Sequence, residues 1–388
     1  MYSFIYFLMS LLGAIFLYDK KYSSYYQKIC SLILAHLLFI FFLFNNISPD
    51  KSYYGKILSQ NYFSGFNNQG YDIFYYYFIH LISLTKNPHL ANTILYFCLI
   101  YSVYFFSNKF KNTFHIILLF FPFIFVVVMQ GYPRQAWALI FIIMGSNLIF
   151  YLNKNNKNGI SNEILKIFFI FCIFLVALFF HYSAIIFIGI YVLFLLKKLQ
   201  ILKKIRLEYI ILTIFYFSII IWLLYSYSFI EIYLIKLQQI KEFFSTRIEY
   251  SPYGAILRSI PIVTSSILII LFFIKNRHNK EINFNNIDEF FLISSLVYIV
   301  LLLFFLFTPE LIIIFDRLSI YFFLITVYFL GRFIFFPFLR RVSNYFILFS
   351  IFYLNLYLLF WSTFSKSYYE FKYNFDLFSN NTITILTN

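Results

Sequence analysis

FHIILLFFPFIFVVVMQ (114–130), GYPRQAWA (131–138) and LIFIIMGSNLIFYL (139–152) follow one another without a gap. Two apolar runs, each close to the roughly 20 residues that cross a bilayer as a helix, flank a corner holding Gly131, Pro133 and Arg134. Gly and Pro together interrupt helices, and Pro is well tolerated in a helix's first turn. The stretch reads as a helix, a sharp corner and a second helix, with Arg134 near the opening of the second.

The rest of the chain repeats this pattern. Of its 388 residues, 62% are hydrophobic and only 12% charged, against roughly 25% charged in a soluble domain. The expected fold is all-α: a polytopic integral membrane protein with roughly twelve transmembrane helices and re-entrant or interfacial outer segments, forming one membrane domain over 1–388. The expected spans are 2–18, 29–44, 89–106, 114–130, 137–152, 164–180, 182–196, 209–229, 255–274, 290–307, 311–330 and 345–364. The run 164–196 is far longer than one span needs, and "HYS" at His181 to Ser183 is its one interruption. The chain is expected to bend there into two short helices. No internal repeat, Pro-rich linker or cleavable signal pattern is evident. Cys30, Cys98 and Cys172 all fall in apolar runs without metal spacing and read as small buried hydrophobes. The excess of Phe, Tyr, Ile, Asn and Lys fits an A/T-rich genome, so aromatic richness by itself says little about sugars.

A net charge of +15 could suggest nucleic acid. The cations, however, sit in short loops between apolar runs, which is the pattern that orients a membrane protein, and no nucleic acid is expected as a partner. The loop 197–206, KKLQILKKIR, carries five cations and is expected on the cytoplasmic side. Counting outward from it places Lys109, Lys154, Lys275 and Arg332 on that side too, and also the first loop, with Lys20, Lys21 and Lys28, provided that 70–86 does not cross. That stretch is read as re-entrant or lying on the outer surface. The inner side then holds nineteen cations with six acids, and the outer side eleven with nine, a net of +13 against +2. The outer segments are loops at about 45–88 and 230–254 and a tail at about 365–388.

This topology gathers Asp50, Asp72, Arg134, His181, Arg247, Arg258, Asp316 and Arg317 at the outer ends of helices or in outer loops. Ionisable groups at membrane depth are costly and mark candidate sites. Arg134 could snorkel to headgroups, yet "PRQ" at a helix start sets a guanidinium beside free backbone N–H groups, a combination that suits phosphate. Arg317 could pair with Asp316 or Glu310, or clamp a second phosphate oxygen, and Arg258 in "YGAILRSIPIV" is similar. Arg247 lies in a mixed-charge loop and could be merely solvated. His181 titrates near neutral pH: it could donate to a carbonyl at a helix bend, or act as a base or hydroxyl-orienting group. Asp50 and Asp72 could be turn or cap residues.

No HExxH, P-loop, GxSxG or Asp-x-Asp occurs, and the six dispersed histidines have no zinc spacing. No metal and no cofactor are expected. If phosphate chemistry takes place here, arginines rather than Mg²⁺ would have to stabilise the leaving diphosphate.

At these residues the chain resembles the Wzy-type polysaccharide polymerases, in their EpsG-like branch. The shared pieces occur in order: Asp50 with Tyr53 and Tyr54, then Gly70-Tyr71; "xRQxxA" at Arg134, Gln135 and Ala138; "FHxSA" at Phe180, His181, Ser183 and Ala184; and "RxxxYF" at Arg317, Tyr321 and Phe322. Asn45 and Asn46 stand where the family often has an Arg, and Gln69 precedes the Gly-Tyr where it commonly has a carboxylate.

The resemblance implies a metal-independent glycosyltransferase of the bacterial inner membrane. It would polymerise undecaprenyl-diphosphate-linked oligosaccharide repeat units at the outer face, into O-antigen, capsule or exopolysaccharide. Arg134, Arg258 and Arg317 would hold the diphosphate, and His181 or a nearby carboxylate would orient or deprotonate the acceptor hydroxyl. Tyr132, Gln135, Arg247, Asp50, Asp72, Asp316 and Tyr321 would line the substrate. Membrane lipids and a chain-length regulator protein are candidate partners. Three rival readings share parts of this face: a lipid-linked oligosaccharide flippase, a ligase that passes the glycan to another acceptor, and a membrane O-acyltransferase using the histidine.

Overall fold

Apolar chain in hydrocarbon must pair its own backbone N–H and C=O groups, which leaves the helix as the local solution for segments this greasy. The computed structural model describes residues 2–18, 24–44, 73–85, 89–152, 160–198, 252–276, 284–307, 312–333 and 343–364. Among them regular structure is entirely helical: α1 (Tyr2–Tyr18), α2 (Ser24–Phe44), α3 (Ile73–Leu84), α4 (His89–Ser107), α5 (Thr113–Phe120), α6 (Pro133–Ile149), α7 (Ile160–Phe180), α8 (Ile185–Lys198), α9 (Pro252–Asn276), α10 (Asn286–Phe307), α11 (Ile312–Gly331) and α12 (Ser343–Phe364). A π-helical stretch, Phe121–Val128, and a last turn, Met129–Gly131, extend α5. The expected span 209–229 lies outside the described residues, as do Asp50, Asp72, Arg247 and the tail beyond 364.

Every other expected span falls on helix. Among the described residues, four helices contain windows long and apolar enough to cross a membrane by length and composition, Tyr25–Leu43, Leu90–Ser107, Leu257–Asn276 and Asn286–Phe305. Helix α3, with 12 residues, is about 18 Å long at 1.5 Å per residue and is too short to cross. The long run 164–196 breaks where expected: α7 ends at Phe180, His181 is extended at φ −161° and ψ 125°, and a 3₁₀ turn, Tyr182–Ala184, leads into α8.

The surfaces of these helices are apolar. On α2, Ile29, Leu32, Ile33, Leu37 and Ile40 are exposed, while Ser31, Leu34, Ala35, Leu38 and Phe42 face inward. Water would penalise such a face and lipid would not. Hydroxyls inside the helices bond to the carbonyl one turn back: Ser107 to Val103 at 2.7 Å, Ser294 to Phe290 at 2.9 Å, Ser295 to Phe291 at 2.7 Å and Ser319 to Phe315 at 2.9 Å. That is how a polar side chain is satisfied where no water reaches. The chain is therefore a membrane protein by surface as well as by composition. The three cysteines depart from expectation in one respect: each is only half-buried, because each lies on the flank of its helix.

The chain divides into two units, residues 1–188 with 326–388, and residues 189–325. At the centre of the first, every residue of Thr113–Phe120 and Phe121–Val128 is buried. Pro122 has no N–H to give, and the turn after it widens until Met129 N–H bonds to the Ile124 carbonyl, five residues back. Tyr6 stacks on Phe121 at 5.5 Å, and His115 bonds through Nε2 to the Gly13 carbonyl at 2.7 Å. A Cβ on Gly13 would meet Leu118 Cδ1 at 2.9 Å. Helices α6 and α7 run antiparallel and approach closely at Gly145, where an added Cβ would lie 2.7 Å from the Phe174 ring.

The cations mark one end of this unit. Lys109 Nζ hydrogen-bonds the Tyr151 hydroxyl and lies 4.0 Å from its ring centroid, at the end of α6 opposite Arg134. Asn112 Nδ2 donates to the Leu330 carbonyl at 3.1 Å, which sets Arg332 beside the same loop. In the second unit Lys197 pairs with Glu289 at 3.6 Å, joining the C-terminus of α8 to the N-terminus of α10. The Asn285 N–H donates to Asp288 Oδ2 at 2.7 Å and caps that helix. Lys275, in the last turn of α9, is near the start of α10 in sequence, so it shares this end. Among the described residues, then, Lys109 and Arg332 share one end of the first unit, and Lys197 and Lys275 one end of the second.

Gly145→Leu is expected to force α7 away from α6 and destabilise the protein by about 1–3 kcal/mol. Gly189, with nothing within 4 Å of an added Cβ, should accept Ala with unchanged or slightly raised stability. Thermal unfolding of both variants in one detergent checks the pair.

Candidate functional site

The corner that opened the sequence reading ends α5's extension and begins α6. Tyr132 adopts φ −136° and ψ 63°, its N–H bonds to the Val128 carbonyl at 2.8 Å, and its carbonyl accepts from Ala136 N–H at 2.9 Å. Pro133 takes the first helical position, four residues earlier than the span boundary expected at 137. A proline there forfeits no helix hydrogen bond, since the first N–H groups have no helical acceptor. Arg134 and Gln135 follow at the second and third positions, and no side chain caps the helix. Their amides and the helix dipole present positive potential at this point. Tyr132 is exposed, Arg134 half-buried and Gln135 only 2% exposed.

An aromatic wall ties this helix start to the corner at His181. The Trp137 ring stacks on Phe180 at 5.4 Å and 18°, and Phe141 stacks on the same ring at 5.3 Å and 16°. From α3, Phe78 meets Trp137 at 4.8 Å and Phe74 meets Phe180 at 6.0 Å. Trp137 lies about one turn after Arg134, and Phe180 directly precedes His181. The stack therefore holds Arg134 and His181 at the same end of the α6–α7 pair.

His181 is an N-cap. Its Nδ1 accepts from the Ser183 N–H at 3.3 Å and meets the Ser183 hydroxyl in a short hydrogen bond. This is neither of the two roles weighed from sequence in its simple form: the ring accepts from a backbone N–H instead of donating to a carbonyl. With Nδ1 accepting, a neutral ring carries its proton on Nε2. In that state Nε2 donates a hydrogen bond, so the geometry suits orienting a hydroxyl or anion better than removing a proton.

The second unit holds the other candidates. Arg258, on the second turn of α9, grips Asp316, on the second turn of α11: Nε donates to Oδ1 at 2.7 Å and Nη2 to Oδ2 at 2.5 Å. The two side chains are 14% and 10% exposed. This bidentate pair across two helices is a partnership the sequence reading did not consider. Arg258 is thus charge-balanced, and Arg317, half-buried on the next residue of α11, adds the net positive charge of the three. Tyr321, one turn further along, is fully buried. Its setting is a layer that sequence reasoning missed: the buried Tyr298 of α10 shares a 3.5 Å hydrogen bond with Ser319, interacts with Ser259 beside Arg258, and stacks on Phe315 at 5.4 Å. Serines and a tyrosine inside apolar runs carry no distinguishing spacing, so nothing in the sequence could have singled them out.

The candidates thus form two groups, Tyr132, Arg134, Gln135 and His181 in the first unit, and Arg258, Asp316, Arg317 and Tyr321 in the second. Among the described residues no three His, Cys, Asp or Glu side chains gather as a metal site would require.

The model of the EpsG family matches residues 28–375, most of the chain. EpsG-like proteins are relatives of the Wzy-type polymerases, which gives the chain a polysaccharide-polymerase-related function in a membrane. No curated protein and no solved structure matches it.

Two stability measurements test the geometry. His181→Asn keeps a good N-cap and should unfold near the parent's temperature, while His181→Ala should lose about 1 kcal/mol. Arg258→Leu or Asp316→Leu alone should cost about 3 kcal/mol by stranding a buried charge, and the double variant should cost less than either. Additive losses in the double variant would mean that the pair is not coupled.

Proposed function

This chain belongs to the EpsG family, and from that premise and the chemistry of the two groups we propose that it is a glycosyltransferase that polymerises lipid-linked oligosaccharide repeat units. It acts at the outer face of a bacterial inner membrane, on units carried by undecaprenyl diphosphate, and builds a surface polysaccharide of the O-antigen, capsule or exopolysaccharide kind. Roughly twelve helices span the membrane in this reading, with the cationic loops inside.

The observation that carries the reading is Arg134 at an uncapped helix N-terminus, held at one end of the α6–α7 pair with His181. A guanidinium and helix amides together favour an anion with several oxygens. In the proposed reaction the glycosidic bond between the growing glycan and its diphosphate breaks, the acceptor hydroxyl at the non-reducing end of a new unit attacks that carbon, and the hydroxyl proton passes to the departing diphosphate or to water. Charge grows on the leaving diphosphate, where Arg134 offsets it. Within the second unit Arg317 is the candidate phosphate-binding residue, with Arg258 and Asp316 fixing the helices around it. His181 orients the acceptor hydroxyl through Nε2. Electrostatic stabilisation by arginine lets the transfer proceed without a metal. Asp50, Asp72 and Arg247 belong to the glycan-facing outer loops in this reading, and a chain-length regulator protein is a partner.

Deleting the gene should leave single repeat units on the surface acceptor, read on a polysaccharide gel. Loss of all attached glycan, with long chains retained on the lipid carrier, would identify a ligase instead. Arg134→Lys keeps the charge and loses the fork, so it should slow chain growth about ten-fold. Growth in a purified assay should be insensitive to EDTA; inhibition reversed by Mg²⁺ would overturn the metal-independent mechanism.

A further inference from the structure

Gln135 is the polar side chain at this site whose chemistry the reaction above leaves unused. It is 2% exposed, and neither its amide oxygen nor its amide nitrogen has a hydrogen-bond partner. A Gln at the third position of a helix ordinarily reaches back to the N–H of the capping residue. Here that partner is taken, because the Tyr132 N–H already bonds to the Val128 carbonyl at 2.8 Å. Helical side chains lean toward the helix N-terminus, so the amide is aimed at the end of α6 where Arg134 lies. An isosteric apolar residue would be the more stable occupant of such a position, since an unsatisfied buried amide is costly. A polar group kept at that cost is the pattern of a binding residue.

The kind of ligand follows from the amide's two ends. An ionised diphosphate offers only acceptors, so it could meet the Nε2 hydrogens but would set its own oxygens against Oε1. A group that both donates and accepts satisfies the whole amide. The group covalently attached to the diphosphate is a sugar. We propose that the Gln135 carboxamide hydrogen-bonds a donor–acceptor substituent, a hydroxyl or an acetamido group, on the sugar next to the diphosphate. This rests on Arg134 binding that diphosphate. Gln135 then selects the donor sugar, while Arg134 and the helix amides hold the charge.

The test uses the full-length protein in nanodiscs and, as probe, the lipid-linked oligosaccharide extracted from cells lacking the gene. Gln135→Met should unfold at or above the parent's temperature, yet raise KM for the lipid-linked donor about ten-fold with a smaller change in kcat. Gln135→Asn, which keeps the amide on a shorter stem, should recover part of that loss. Repeating the measurement on chemically N-deacetylated donor separates the two substituents. If Gln135 reads an acetamido group, the difference between parent and Gln135→Met disappears on this donor; if it reads a hydroxyl, the difference persists. A Gln135→Met protein with the parent's KM on an active preparation overturns this inference alone. A parent that cannot extend the extracted donor overturns the polymerase reading, and this inference with it.

Discussion

Hydrocarbon supplies no hydrogen bonds, and this one constraint organises the molecule. Every backbone amide in a greasy segment must find its partner within the segment, so the described chain is helical throughout. The same constraint sends the hydroxyls of Ser107, Ser294, Ser295 and Ser319 back to their own helices, and it locks His115 to the Gly13 carbonyl. Where a polar group escapes this pairing, a reason is needed. Pro122 escapes by widening its helix into a π turn. Arg258 and Asp316 escape by taking each other. At Gln135 the pairing stays incomplete within the chain, at both the oxygen and the nitrogen of its amide.

The arginines illustrate how one residue type serves different ends. Arg258 spends two donors on Asp316 and joins α9 to α11; its positive charge is balanced where it stands. Arg134 sits at the positive end of a helix, with no capping side chain beside it. A cation there works against the helix dipole. The aromatic wall of Trp137, Phe141 and Phe180 gives the arrangement its rigidity. It fastens the start of α6 to the end of α7, so His181 and Arg134 keep their places without a direct bond between them.

Much of the fold was legible because membrane helices announce themselves by composition and length. The break at His181 was legible too, since a 33-residue apolar run exceeds what one span needs and "HYS" was its one interruption. The start of α6 was legible as well, since "PRQ" read as a helix start and Pro133 is the first helical residue; only the apolar span was drawn later, from 137. The pairing of Arg258 with Asp316 was illegible, because the two lie 58 residues apart and a nearer partner, Arg317, was available on paper. Adjacent residues on a helix point about 100° apart, and the Asp316 carboxylate meets Arg258 on α9.

What the sequence determined alone was the solvent and the element type. The scarcity of charge requires lipid, and lipid requires helices. It also marked Arg134, His181 and Arg317 as residues out of keeping with their surroundings. Only tertiary structure decided which of these polar groups satisfy one another. Hydrogen bonds and ion pairs act over a few ångströms, and which side chains come that close depends on how helices pack: Gly145 letting α7 approach, Trp137 meeting Phe180, and α9 lying beside α11.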